Sequence, residues 1–270
     1  MEKFMKEVRN AKYYAKMTAI VLCWLALWEI ADRVINNRIV LSGPIHIIGA
    51  LGEQIRQPDF WVTCGASFAR ITVGFLLSFV AGFLLAVLCY RFTLLRDIIT
   101  PVMVTLKIVP MISFVIMLLI WVGNQALTIY LSFLIVLPLI YTNTLAGLNA
   151  VDKNLLEVAK EYGCSWWYRF YYFYRPTLMP FVISACRIAL GMSWKSGIMA
   201  EVIGTPKPSI GREMYAAKTY LQTANLFAWT IVVVVLSLLF ERIFMMLLNK
   251  CNPIKGEEAQ KMMMKNKMGV

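Results

Sequence analysis

Asn154-Leu155-Leu156-Glu157-Val158-Ala159-Lys160-Glu161-Tyr162-Gly163-Cys164-Ser165 lies between two strongly apolar segments, followed by the aromatic run Trp166–Tyr174 and by Pro176 and Pro180. The pattern predicts a short helix, a glycine stop and a second short helix, on a loop between membrane spans. Asn154 is placed to cap the first helix, with Glu157 three residues on reaching back as in a capping box. Gly163 suits the left-handed residue that ends a helix. Ser165 then caps a second helix leading into the next span. On the residues alone two readings stay open: an ordinary helical hairpin loop, or a docking element that presents a capped amphiphilic helix pair.

The flanks decide the solvent. The chain has 270 residues, of which 60% are hydrophobic, and its mean hydropathy is +0.66. A soluble domain is roughly 45–50% apolar. A membrane span needs about 20 mainly apolar residues, and by that measure about six are expected: Met17–Ile35, Ala66–Tyr90, Ile98–Val122, Leu127–Leu148, Thr177–Ile203 and Ala228–Leu248. All are expected to be helices, because a lipid-facing strand leaves its backbone unpaired. The fold class is therefore an all-α, polytopic membrane protein.

Net charge is +12. In a soluble chain that would raise nucleic acid as a partner; here the bases cluster beside spans, at Lys3, Lys6, Arg9, Lys12 and Lys16 and again at Lys250, Lys255, Lys261, Lys265 and Lys267. Such flanks stay cytoplasmic, so both termini are expected inside, in agreement with an even number of spans. The first apolar run continues through Trp28 without a small-residue cleavage site and reads as a retained span. The six cysteines have no metal-ligand spacing, so no metal site is expected. Three regions follow: a basic flank, first span and outer interfacial segment over 1–65, a core membrane domain over 66–250, and a basic tail over 251–270. Within the first, Leu41-Ser42-Gly43-Pro44 is a turn before an apolar helix at Ile45–Ile55.

Two spans carry a small residue at every fourth position. In one it is Ala66, Gly74, Ser78, Gly82 and Ala86, interrupted by Arg70; in the other Ala185, Ala189, Ser193 and Gly197, with Glu201 next in register. Small side chains let helix backbones approach in lipid, so Gly74, Ser78, Gly82, Ala189, Ser193 and Gly197 are expected at helix contacts. Polar groups inside spans face a cavity or a partner. Asn143, Trp194, Lys195 and Glu201 are the candidates for a translocation path, Lys195 because a cation there favours an anion. The alternative for Lys195 is an ion pair with Glu201. Lys107 lies close enough to a span end to snorkel. An intramembrane hydrolase would need a nucleophile and a base at membrane depth, yet the one histidine, His46, lies outside the expected spans. A channel would need a ring-forming filter motif, and none stands out.

Glu157-x-Ala159 with Gly163 resembles the EAA loop of ABC importer permeases. From about Leu41 to Arg242 the chain resembles the permease of the nitrate, sulfonate, taurine and bicarbonate branch. Ser67-x-x-Arg70-x-x-Val73-Gly74-Phe75, Lys107-Ile108-Val109-Pro110, Asn143-Thr144, Asp152, Arg187-Ile188-Ala189-Leu190-Gly191, Trp194, Ala200-Glu201 and Gly204 carry the match in order. Arg175 stands where that branch has Leu. The resemblance implies a type I importer permease fold with a cytoplasmic coupling helix, in which Glu157, Ala159, Gly163, Leu155 and Leu156 meet the ATPase. It implies no enzyme activity and no cofactor in this chain, with ATP on separate ATPase subunits. An extracytoplasmic binding protein, a second permease copy and membrane lipid are the implied partners. The implied substrate is a small anion. The alternative is a neutral nutrient such as a pyrimidine-type vitamin precursor.

Overall fold

The computed structural model describes residues 2–37 and 39–250, residues 2–15 by their backbone alone. All regular structure among them is helical. In order these are α1 (Glu2–Ile35), α2 (Pro44–Ile55), α3 (Pro58–Arg91), α4 (Thr93–Ile108), α5 (Met111–Asn149), α6 (Lys153–Glu161), α7 (Trp166–Arg169), a π-helical turn (Phe170–Tyr174), α8 (Arg175–Gly204), α9 (Ile210–Thr219) and α10 (Thr223–Lys250).

Four stretches are long and apolar enough to cross a membrane: Pro58–Arg91, Met111–Asn149, Trp166–Gly204 and Thr223–Lys250. The expected count of six is not reached among the described residues. The expected span Met17–Ile35 lies within α1, which is not one of the four. The expected span Ile98–Val122 is divided, because Val109 turns extended (φ −62°, ψ 129°) before Pro110, whose ring excludes the helical region for its predecessor. Within α5 the backbone breaks once more at Gly123 (φ 71°, ψ −179°), which separates residues 111–122 from 124–149.

The chain forms two compact units. The first comprises the described parts of Met1–Thr63 and Glu213–Val232. There the expected turn at Leu41–Pro44 does start a helix: Gly43 is the N-cap of α2 and Pro44 its first residue. A Cβ on Gly43 would stand 2.6 Å from Glu29 Oε2 and 2.7 Å from Asp32 Oδ2, so a side chain there displaces these two carboxylates of α1. Phe60 stacks on Trp229 at 5.2 Å, and the Thr223 hydroxyl donates to the Ile39 carbonyl at 2.6 Å.

The second unit comprises Cys64–Arg212 and the described part of Val233–Val270. Its centre is the meeting of α3, α5 and α8, and small residues determine how closely they meet. A Cβ on Gly74 would lie 2.6 Å from the Ile129 carbonyl oxygen, and one on Gly82 3.0 Å from Ile140 Cβ. Between them Ser78 donates to the Phe133 carbonyl at 3.0 Å. From the other side, a Cβ on Gly197 would stand 2.6 Å from Ile71 Cγ1 and 3.1 Å from Ser132 Oγ. The Ser132 hydroxyl also reaches the Ser193 carbonyl at 3.3 Å. Ser78, Ala189 and Ser193 have no exposed surface. The two stripes thus lie inside one chain, on a shared three-helix contact. The later part of α10 joins by a different chemistry: Phe240 and Phe244 meet Phe75 edge-on at 5.6 and 4.9 Å.

Gly82→Leu and Gly197→Leu are each expected to lower stability by about 1–3 kcal/mol, the usual cost of overpacking a filled contact. Size-exclusion profiles of the detergent-solubilised complex, read after graded heating, check this. Profiles that match the parent would show that these faces have room.

Candidate functional site

The loop after α5 is built from three caps. Asp152, not Asn154, is the N-cap of α6: its carboxylate accepts from the Asn154 amide at 2.8 Å. The helix starts earlier than the sequence pattern predicts because Asp152 bonds the second helical amide, leaving Asn154 inside the first turn. At the other end Gly163 has φ +66°. The Cys164 amide donates to the Ala159 carbonyl at 2.9 Å and the Gly163 amide to the Lys160 carbonyl at 3.0 Å. These paired bonds form a Schellman stop, which turns the chain sharply enough for Ser165 to cap α7 by accepting from the Tyr168 amide at 3.3 Å. The predicted helix, glycine stop and second cap are all present.

Ala159 is buried at 4% exposure and Leu156 is half-buried, which fixes the inner face of α6. Glu157 is exposed, as are Leu155, Val158 and Tyr162. A nine-residue helix with an open face of mixed apolar and acidic groups can receive a groove on another subunit. After α7 the chain makes the π-helical turn Phe170–Tyr174, and the Arg175 guanidinium lies 4.7 Å from the centre of the Tyr171 ring. The arginine that stands in place of an expected leucine is thus held by a cation–π contact.

At the far end of α8 lies a buried charge cluster. Glu201 has no exposed surface. Its Oε1 accepts from Arg70 Nη1 at 3.0 Å. Its Oε2 accepts from the Ser67 hydroxyl at 2.7 Å and from the Gly211 amide at 3.2 Å. Arg70 Nη2 continues to the Pro208 carbonyl at 2.7 Å, and Ser67 Oγ accepts from the Ile210 amide at 2.9 Å. One carboxylate therefore ties α3, α8 and the turn into α9 together. Gly211 belongs to the same joint, since a Cβ there would run into Glu201 Cβ and the Val202 amide.

The four candidate path residues do not form one group. Glu201 pairs with Arg70 and not with Lys195. Trp194 is buried at 2% exposure, 5.9 Å from Phe68 between ring centres. Both differ from the expected placing on an open face: they point inward, where the helix period carries them against α3. Asn143 is half-buried and donates to the Leu139 carbonyl of its own helix at 2.8 Å. Lys195 is exposed, as are Arg187 and Ile188 on the same helix. Neither cation has an ion pair among the described residues. Lys107 donates to the Thr142 hydroxyl at 3.1 Å. Ser67 and Arg70 were not among the residues singled out for chemistry. Their signal lay in register: Arg70 interrupts one small-residue stripe and Glu201 ends the other, so opposite charges occupy matching places on two faces that pack.

The fold is that of an all-helical membrane chain with an exposed, doubly capped helix on an inter-span loop. Residues 78–250 match the family described as binding-protein-dependent transport system inner membrane component. The chain belongs to that family: it is a multi-pass inner-membrane permease subunit of an ABC importer, not itself an enzyme, and permeases of this kind work with an ATPase and a binding protein. It is 25% identical over 225 residues to the putative aliphatic sulfonates transport permease protein SsuC of Bacillus subtilis (strain 168), covering 82% of this chain and 81% of that one. It is 26% identical over 192 residues to the formylaminopyrimidine transport permease protein ThiX of Halalkalibacterium halodurans, covering 69% and 75%. The fold is similar to that in the crystal structure of a bacterial ABC transporter that imports the acidic polysaccharide alginate, with a TM-score of 0.55 at 13% identity over 90% of this chain and 98% of that one. The resemblance to the nitrate, sulfonate and taurine branch is thereby borne out.

Proposed function

We propose that this permease carries a small anion of the sulfonate or nitrate type, as a pair of identical copies. The observation that carries the reading is the exposed pair of cations on α8, Arg187 and Lys195, while the acid of the same span, Glu201, is taken by Arg70. An unpaired cation in a span is costly unless it meets water or a counter-charge, and a passing anion supplies the counter-charge. Trp194 and Glu201, turned inward, hold the helix that presents Lys195. Glu157, Leu155 and the helix stop at Ala159 and Gly163 form the contact with the ATPase, and the loop that bears them is cytoplasmic together with both termini. ATP closes the ATPase dimer, α6 moves with it, and the core helices turn from inward to outward access. Specificity resides largely in the binding protein, so the path itself holds substrate weakly.

A second reading is favoured by the similarity to ThiX: the same permease passing a neutral pyrimidine-type nutrient. Uptake of labelled taurine, ethanesulfonate, nitrate and formylaminopyrimidine, by cells that express the chain with its ATPase and binding protein, separates the two. Under the first reading Lys195→Met lowers anion uptake about tenfold, the weight of one charge-assisted contact, with the assembled complex undiminished, and Lys195→Arg keeps part of the activity. Anion uptake that is unchanged in Lys195→Met removes the charge from the path. Uptake of the pyrimidine alone establishes the second reading.

A further inference from the structure

A cleft of about 630 Å³ opens between α4 and the end of α5, beside the loop that carries α6. Its lining is polar for a membrane chain. Thr93, Arg96 and Thr100 come from α4, Tyr141 and Thr142 from α5, and Asp97 stands among them. The Arg96 guanidinium is exposed and makes no hydrogen bond or ion pair among the described residues. Tyr141 is buried at 1% exposure, and its hydroxyl makes no hydrogen bond among the described residues. A buried hydroxyl without a partner costs free energy, and such groups call for an explanation by a missing ligand or water. Thr142 accepts from Lys107 at 3.1 Å, which adds a second cation one bond behind the lining. Two cations against one carboxylate, the Thr93 hydroxyl and the Tyr141 phenol make a site for a negatively charged oxygen acceptor; the Thr100 and Thr142 hydroxyls already give their protons to the Arg96 and Pro138 carbonyls, at 2.6 and 2.7 Å.

We infer that this cleft binds an oxyanion, a sulfonate, carboxylate or phosphate group held by the Arg96 guanidinium and the Tyr141 hydroxyl. Guanidinium offers two parallel N–H donors that match two oxygens of such a group. The phenol donates to a third oxygen, and the Thr93 hydroxyl is free to add a further bond. Asp97 disfavours more than a single negative charge. The cleft lies at the same end of α5 as α6, so its occupant comes from the side of the ATPase. The inference deepens the reading of an anion importer and rests on it for the identity of the ligand, though not for its chemistry. Two sources share that chemistry: the free anion released inward, and the headgroup of an anionic phospholipid.

The test uses the assembled permease–ATPase complex carrying Lys195→Met, which removes the proposed path cation, in nanodiscs of phosphatidylcholine. Labelled ethanesulfonate and inorganic phosphate are measured by equilibrium dialysis. Saturable binding is expected, weakened about tenfold by Arg96→Gln, in part retained by Arg96→Lys, and weakened severalfold by Tyr141→Phe. Arg96 is exposed, so its replacement leaves the fold intact and decides the result. If neither anion binds, and phosphatidylglycerol added to the nanodisc instead shows Arg96-dependent retention on the complex, the site stands with lipid as its source. If Arg96→Gln changes none of these, the inference is overturned. Cells that import only a neutral solute while Arg96-dependent anion binding persists would refute the importer reading and leave the cleft. Anion uptake without any Arg96-dependent binding would do the reverse.

Discussion

Glu201→Gln is expected to destabilise the chain by about 3–5 kcal/mol, the cost of removing one partner from a buried ion pair. Three hydrogen bonds end on its carboxylate, from Arg70, Ser67 and the Gly211 amide. Glutamine keeps the shape but offers one acceptor oxygen, and it turns an amide toward donors. Arg70 is left as a largely buried cation without a counter-charge. Arg70→Met should cost a similar amount, since it strands the anion. The double variant Arg70→Met with Glu201→Gln is expected to regain much of the loss, because no charge then remains buried, and the non-additivity measures the pair itself. Thermal unfolding of the purified complex in detergent reads all three. Lys195→Met serves as the comparison on the same helix and should fall within about 0.5 kcal/mol of the parent, as expected of an exposed side chain with no partner. If Glu201→Gln is as stable as the parent, the cluster is not what joins α3 and α8 to the turn before α9. If Lys195→Met is instead the destabilising change, and is rescued by Glu201→Gln, the pairing described above is incorrect.

Gly163→Val is expected to abolish most transport while leaving the chain folded. The residue sits at φ +66°, where a side chain costs roughly 1–2 kcal/mol and a β-branched one more. No heavy atom lies within 4 Å of a Cβ built there. The strain therefore falls on the backbone turn and not on packing, and it is relieved by opening the Schellman stop that sets the end of α6 against the start of α7. With α6 turned out of place, ATP hydrolysis by the docked ATPase should persist while uptake falls by about tenfold or more, in keeping with the effect of misplacing a coupling element by an ångström. Gly163→Asn is the control, since asparagine tolerates the left-handed region, and it should retain most uptake. Parallel measurement of ATPase activity and uptake in proteoliposomes distinguishes uncoupling from misfolding. Uptake by Gly163→Val at the parent rate would remove α6 from the coupling contact.

The loop was legible because its signals are local. Glycine at the helix stop and serine before the aromatic run act through backbone bonds within a few residues. The N-cap was misplaced by two positions for the same reason: Asp152 and Asn154 are both competent caps, and local chemistry does not choose between them. The small-residue stripes were legible as buried faces, since a four-residue repeat needs nothing but the helix period. Their partners were not. Nothing in the repeat states that Gly74 lies on Ile129 while Gly197 lies on Ile71. The span count failed where single residues override hydropathy, at Pro110 and Gly123, whose backbones leave the helix within apolar sequence.

By itself the sequence determined that this is an all-helical membrane chain, which faces of its helices are buried and where the loop helix stops, because these follow from backbone chemistry and periodicity within a single element. Tertiary structure alone decided which charge neutralises which. Glu201 is six residues from Lys195 and 131 from Arg70, yet it pairs with the distant arginine. On one helix those six residues point the two side chains to different sides, while the contact of α3 with α8 brings the guanidinium to 3.0 Å. It also left Lys195 on the open face: the sequence offered both a free cation and a pair with Glu201, and the packing of α3 on α8 removed the pair.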